Sequence, residues 1–180
     1  WVLALVPSGV SALLALERVG ELGTGEVVCI SAAAGGLGNI ATQLAVRAGG
    51  EERWGDLLSE IASGVPATIA LLENADWGDE ALSVELSADG VLTGSKDFVS
   101  DAGVAQHFLV VAHQGGQPIV AHVRRDQLSD SAISEHTLVD QTKRSARVDF
   151  DGVAVGAGQV LSGAAVGAAL RDIRLLGALL

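Results

Sequence analysis

Basic residues are scarce in this sequence: 11 Lys and Arg stand against 22 Asp and Glu over 180 residues, a formal charge of -11. Binding along a phosphate backbone requires a basic face, so no nucleic-acid partner is expected. Cys29 is the only cysteine. That excludes an intrachain disulfide and any cysteine-based metal set, and it fits a reducing, cytoplasmic compartment. Aromatic residues make up only 3% of the chain, so its core must be built from aliphatic side chains. A long clean apolar run is also missing. The most apolar stretch, "AAVGAALRDIRLLGALL", is broken by Arg171, Asp172 and Arg174 and is too short to span a bilayer. The opening "WVLALVPSGV" has no basic leader and meets Pro7 early, which makes a poor signal peptide. The chain opens on Trp1 and closes inside a helical pattern, and so reads as a segment of something longer.

What is present is organised in two styles. Residues 8–20 carry Leu13, Leu14 and Leu16 on one stripe with Gly20 as a stop, which predicts a helix. "TGEVVCIS" reads as a short buried strand, and the glycine turn after it opens a second helix with Ile40, Leu44 and Ala45 facing inward. From Glu51 the character changes. Trp54, Leu57, Leu58 and Ile61 fall at helical spacing up to Gly64. Beyond Pro66 the period drops to two: Leu82, Val84 and Leu86 alternate with Ser83, Glu85 and Ser87, and Ala146, Val148 and Phe150 with Arg147 and Asp149. "HFLVVAH" and "PIVAHV" flank Gln114-Gly115-Gly116-Gln117, a hairpin signal, and further turns are marked by Asp89-Gly90 and Asp151-Gly152. These patterns predict an α+β chain: a helix-strand-helix Rossmann fragment over residues 1–50, a helical lead-in over 51–67, a mostly antiparallel β-barrel over 68–162, and the start of a helical bundle over 163–180.

The turn Ala33-x-Gly35-x-x-Gly38 lies between a predicted strand and a predicted helix, the context in which a dinucleotide pyrophosphate is held against free helix N–H groups. Ordinary turn chemistry would account for the same glycines. The words around it, from "PSGVSALLALERVG" through "GTGEVV" to "AAAGGLG" and "QLA", resemble the cofactor domain of the medium-chain dehydrogenase/reductases, in particular the zinc-free quinone oxidoreductases. That resemblance implies NADPH, with Ala34, Gly35, Gly36, Leu37 and Gly38 along the pyrophosphate. The second strand, which reads the ribose, is not found after Gly50, so any NADPH site would be weak or vestigial.

Residues 51–180 resemble the acyl-CoA dehydrogenases. The resemblance runs through "LLSEIASGVPATIALLEN", "DGVLTGSKDFVSDAGVAQHFLVVA", "VDQTKRSARVDFDGVAV" and "LSGAAVGAALRDIRLLGALL", and is most specific at "GSKDFVSDA". It implies a middle β-barrel domain that holds FAD, an acyl-CoA-type substrate, and Phe98 and Ser100 against the isoalloxazine ring. An aromatic face can pack on a flat heterocycle, and a hydroxyl can donate to the ring. On spacing alone, Phe98 reads more readily as a core aromatic and Ser100 as a turn former before Asp101, and it is the resemblance that reverses this. Two positions depart from the family. Leu72 stands where a hydroxyl-bearing residue would bond the flavin, and Trp77 and Gly78 fall in the "ADWGDE" loop that would carry its glycine and serine. The catalytic glutamate of the family falls beyond Leu180, so no catalytic residue is assigned. The chain is expected to be incomplete for dehydrogenation and to need a partner or oligomer supplying the helical bundle. Two alternatives stay open: nucleotide binding by the N-terminal segment, and a non-catalytic assembly module.

The remaining candidates carry less. His107, His113, His122 and His136 form no spacing for a metal set. Asp76, Asp79 and Glu80 match no calcium loop, so no metal site is expected. "KRSAR", Lys143 to Arg147, could meet a phosphate-bearing ligand such as CoA, but such a run is more often a solvated strand edge.

Overall fold

Pro66 and the residues around it mark where helix gives way to sheet. In the computed structural model of the chain, residues 51–74, 83–139, 143–163, 166, 167 and 170 are described. All of them belong to one compact unit, Ser31–Leu180. The predicted Rossmann fragment over residues 1–50 lies outside the described residues.

Helix α1 (Glu51–Ala62) forms where the apolar spacing predicts it, with a kink at Trp54, and buries Trp54, Leu57 and Ile61. Its end is closed by two bonds, Gly64 N–H to Ile61 O and Val65 N–H to Glu60 O, each 3.0 Å, the pairing of a Schellman cap. Ten strands follow: β1 (Ala67–Ala70), β2 (Glu85–Leu86), β3 (Val91–Thr93), β4 (Ser95–Ser100), β5 (His107–Gln114), β6 (Gln117–Arg124), β7 (Ile133–Glu135), β8 (Ser145–Asp149), β9 (Val153–Ala154) and β10 (Val160–Leu161). They make a seven-stranded sheet, β10-β6-β5-β2-β3-β9 with β1 also on β5, and a three-stranded sheet, β4-β8-β7.

The predicted hairpin is the centre of the larger sheet. β5 and β6 pair antiparallel along their full length from His107–Arg124 to Gln114–Gln117. Gly115 and Gly116 turn the chain at φ of +56° and +77°, the two positive angles that a type I′ turn needs. On its other edge β5 takes two parallel neighbours, β1 along its first half and β2 at His113. The mostly antiparallel prediction therefore holds, with these parallel pairings as an addition. They arise because β1 and β2 both precede the hairpin and approach the same exposed edge.

Both faces of the hairpin are covered, so alternation is replaced by a continuous apolar run. Phe108, Val110, Ala112, Ile119, Ala121 and Val123 join Val84, Leu86, Leu92, Val148 and Phe150 in the core between the sheets. Leu109, Val111 and Val120 face the other way, against Trp54, Leu57 and Ile61 of α1. The rings of Phe108 and Phe150 meet edge-on at 6.3 Å, one from each sheet. Of the residues predicted to point inward, Val84, Leu86, Val148 and Phe150 do so, while Leu82 lies outside the described residues.

Candidate functional site

The "SKDFVS" strand β4 lines one rim of the small sheet, and its register against β8 is broken between Lys96 and Val99. Lys96 faces Val148 and Val99 faces Ala146, so Asp97 and Phe98 together oppose the single residue Arg147. The bulge lets Lys96 and Val99 both point into the core while Phe98 turns outward. Phe98 is 41% exposed and sits at φ +51°, an angle that costs a bulky residue on the order of 1–3 kcal/mol. The reading of Phe98 as a core aromatic is thus overturned. Its ring is held out of the core by the bulge, and the core beneath is filled by Val99.

Asp97 stabilises that conformation. Its Oδ1 accepts the N–H of Phe98 at 2.9 Å and stands 3.0 Å from Nε2 of His136. The imidazole lies against the Phe98 ring, centroids 5.3 Å apart at 57°, and its Nδ1 is 3.3 Å from Oγ of Ser145 on β8. Ser100 ends the same strand, exposed, with its carbonyl accepting the hydroxyl of Thr68 at 2.7 Å. Leu72 lies alongside: its carbonyl accepts the N–H of Asp97 at 2.7 Å. Three of the four predicted flavin-contact positions, Leu72, Phe98 and Ser100, therefore gather on one rim. Gly78 lies outside the described residues, as do Ala34, Gly35, Gly36, Leu37 and Gly38.

A buried ion pair supports the rim from within. Lys96 is fully buried, and its Nζ lies 2.6 Å from Glu73 Oε1 and 3.2 Å from the carbonyl of Leu71. Glu73 also accepts from Ser83, through N–H at 2.7 Å and hydroxyl at 2.5 Å, and from the N–H of Val84 at 3.1 Å. Burial alone would raise the Glu73 carboxyl, but the bonds from Lys96, Ser83 and Val84 outweigh it and hold the group at about 2. Burial pulls the Lys96 ammonium below its ordinary range, opposed by the carboxylate. Both Lys96 acceptors and every Glu73 donor favour the charged forms of the pair, against the burial that disfavours them. Both residues stand in the stretches that carry the family resemblance; their pairing is not legible there, because 23 residues separate them.

Sequence spacing also misses a second buried pair, His107 with His122. They are two positions off direct register on the helix-facing side of the hairpin, and His107 Nδ1 lies 3.0 Å from His122 Nε2. His107 Nε2 lies 2.7 Å from Glu60 Oε2 of α1. Burial, and then the neighbouring His107 and Arg124, push the His122 imidazole down to about 4. Burial lowers His107 too, against the pull of Glu60. No cluster of three or more metal-ligating groups occurs among the described residues.

Near the rim, a cleft of about 120 Å³ is lined by Asp101, Val104, Glu135, His136, Arg144 and Ser145, among others. It is far below the size of a heterocycle pocket. The basic cluster is largely spoken for: Arg144 pairs with Asp101 at 3.0 Å, and Arg147 donates to Ser95 Oγ at 2.6 Å. No helix among the described residues is long and apolar enough to cross a membrane.

No protein-family model matches the chain and no curated protein matches it. Solved structures do. A glutaryl-CoA dehydrogenase from Mycobacterium smegmatis in complex with FADH2 superposes with a TM-score of 0.61 at 17% identity, over 79% of this chain and 40% of that one. Butyryl-CoA dehydrogenase from Megasphaera elsdenii gives 0.60 at 18%, over 76% and 39%. A steroid ACAD variant gives 0.61 at 26%, over 77% and 38%. The chain thus spans about 40% of the length of these structures. The comparisons lend no support to the quinone oxidoreductase resemblance or to NADPH. What they do establish is the architecture: the strands and the few helices described above have the fold of part of an acyl-CoA dehydrogenase.

Proposed function

We propose that this chain is the flavin-contacting part of an acyl-CoA dehydrogenase-like oxidoreductase, in which Phe98 and Ser100 meet the isoalloxazine ring of FAD and an acyl-CoA-type substrate is used by the whole assembly. The observation that carries the reading is Phe98 itself. A large aromatic held outward at a costly backbone angle, beside an exposed hydroxyl on the same strand end, is a prepared surface for a flat ring. The residues present fit such a ring in part. The Ser100 hydroxyl makes no hydrogen bond among the described residues and is available to donate, while the aliphatic Leu72 offers only contact area. Bound FAD would supply the hydride acceptor; the protein's own part here is to pack one ring face and orient it.

One rim is half a pocket. Binding must first offset the loss of rigid-body freedom, so a ring held on one side gains little net affinity. The chain by itself should therefore purify colourless, and should gain a flavin absorption band when combined with a protein that covers the other face of the ring. A yellow stoichiometric flavoprotein obtained from this chain alone would refute the one-sided site. In the combined complex, Phe98→Ala should abolish flavin uptake; unchanged uptake would remove Phe98 from the site. A complex that forms but stays colourless would favour the assembly-module reading, for which Leu72 in place of a hydroxyl-bearing residue is the supporting observation.

A further inference from the structure

The bulge that exposes Phe98 is held from outside the strand that contains it. Asp97 Oδ1 serves two partners at once, the N–H of Phe98 at 2.9 Å and Nε2 of His136 at 3.0 Å. His136 lies just past β7, 38 residues further along the chain. Its other ring nitrogen is 3.3 Å from Ser145 Oγ, and its own N–H donates to the Ser145 carbonyl at 2.9 Å. With both ring nitrogens engaged and its backbone tied to β8, the imidazole is held in one orientation, and in that orientation it meets the Phe98 ring at a tilt of 57°.

We infer that His136 is a positioning residue for Phe98: with Asp97 and Ser145 it fixes both the backbone angle and the ring direction of the exposed aromatic. Phe98 has no other ring contact among the described residues, and the core below it is closed by Val99. Without His136 the carboxylate of Asp97 loses its second partner and the aromatic loses the one ring it meets among the described residues. The ring is then free to sample other rotamers and the bulge to relax. As a role in function this rests on the flavin-contact reading given above; as a statement about the ring it does not.

The chain contains three phenylalanines, which allows a direct test. The full chain is labelled with 4-fluorophenylalanine and its three fluorine resonances are recorded, with Phe98→Leu identifying that of Phe98. Phe108 and Phe150 form a buried edge-on pair and report the integrity of the core. In His136→Ala the Phe98 resonance should leave its wild-type position and move toward that of a solvent-exposed ring, with the other two unmoved. In His136→Gln, which keeps a donor for Asp97, the resonance should lie between the two. A Phe98 resonance unmoved in His136→Ala overturns the inference, and so does a shift of all three resonances together in both variants. In the flavin-bearing complex, His136→Ala should weaken flavin binding about tenfold, equivalent to roughly 1.4 kcal/mol. A Phe98-specific shift in a protein that takes up no flavin in any complex keeps the positioning role and removes the flavin reading. Flavin uptake with an unmoved resonance does the reverse.

Discussion

At the scale of single residues, the Lys96–Glu73 pair is asymmetric, and the asymmetry predicts which substitution hurts more. Glu73 keeps three donors from Ser83 and Val84 if Lys96 is removed, whereas Lys96 without Glu73 is a fully buried cation facing one carbonyl. Breaking a buried pair from one side costs about 3–5 kcal/mol when the remaining charge is uncompensated. Glu73→Gln should fall in that range and Lys96→Met below it, as read by chemical denaturation. The reverse order would show that the Ser83 and Val84 bonds do not satisfy the carboxylate. Features at this scale are unevenly legible in the sequence. Phe98 and Ser100 stand out through a stretch whose spacing is local. The Glu73–Lys96 and His107–His122 pairs depend on strand register, which no local spacing encodes.

Among the elements, legibility follows the kind of signal each carries. Helix α1, the β5–β6 hairpin and the glycine turns rest on short-range chemistry and appear where the sequence predicts them. The bulge in β4 and the parallel addition of β1 and β2 to β5 do not, because each is set by what the strand meets across the core. The turn at Asp89-Gly90 combines both levels. Gly90 has φ +77°, and a Cβ there would lie 2.7 Å from the carbonyl of Val155, whose N–H donates to Gly90 O at 2.7 Å. Gly116 has the same φ but open space around it. Gly90→Ala should therefore cost about 2 kcal/mol or more, against about 1 kcal/mol for Gly116→Ala, which carries the backbone term alone. Equal losses in thermal unfolding would mean the Val155 approach relaxes freely.

For the whole molecule, the buried ionisable groups set an acid limit in two stages. His122 is held at about 4 against an ordinary 6.5, so the unfolded chain binds its proton first. Stability from that group is complete above pH 6.5 and falls as pH drops toward 4, by about 3 kcal/mol in all, with His107 acting in the same direction. Glu73, held at about 2 against 4.5, contributes above pH 4.5 and loses that contribution as pH falls toward 2. Denaturation midpoints should decline from neutrality rather than from pH 4.5, and His122→Gln should flatten the stretch between 6.5 and 4. A wild-type curve flat down to pH 4.5 would contradict the histidine part.

The parallel pairing of β1 and β2 with one edge of β5 also bears on the order in which the protein assembles. The hairpin closes a two-residue loop and can form early, whereas β1 must return across 36 intervening residues to reach it. Contacts of that separation cost loop entropy before they add stability, so the hairpin is the natural nucleus and β1 a late arrival. In native-state hydrogen exchange, the amides of Val110 to Ala121 that pair across the hairpin should open only with global unfolding, while those of Ala67–Ala70 should exchange through a smaller opening. Equal protection of both would make the sheet a single cooperative unit. If β1 is the part that opens first, then the rim carrying Leu72 and Ser100 is completed last and released first, and under the proposed function the capture of flavin would be a step of folding as well as of binding.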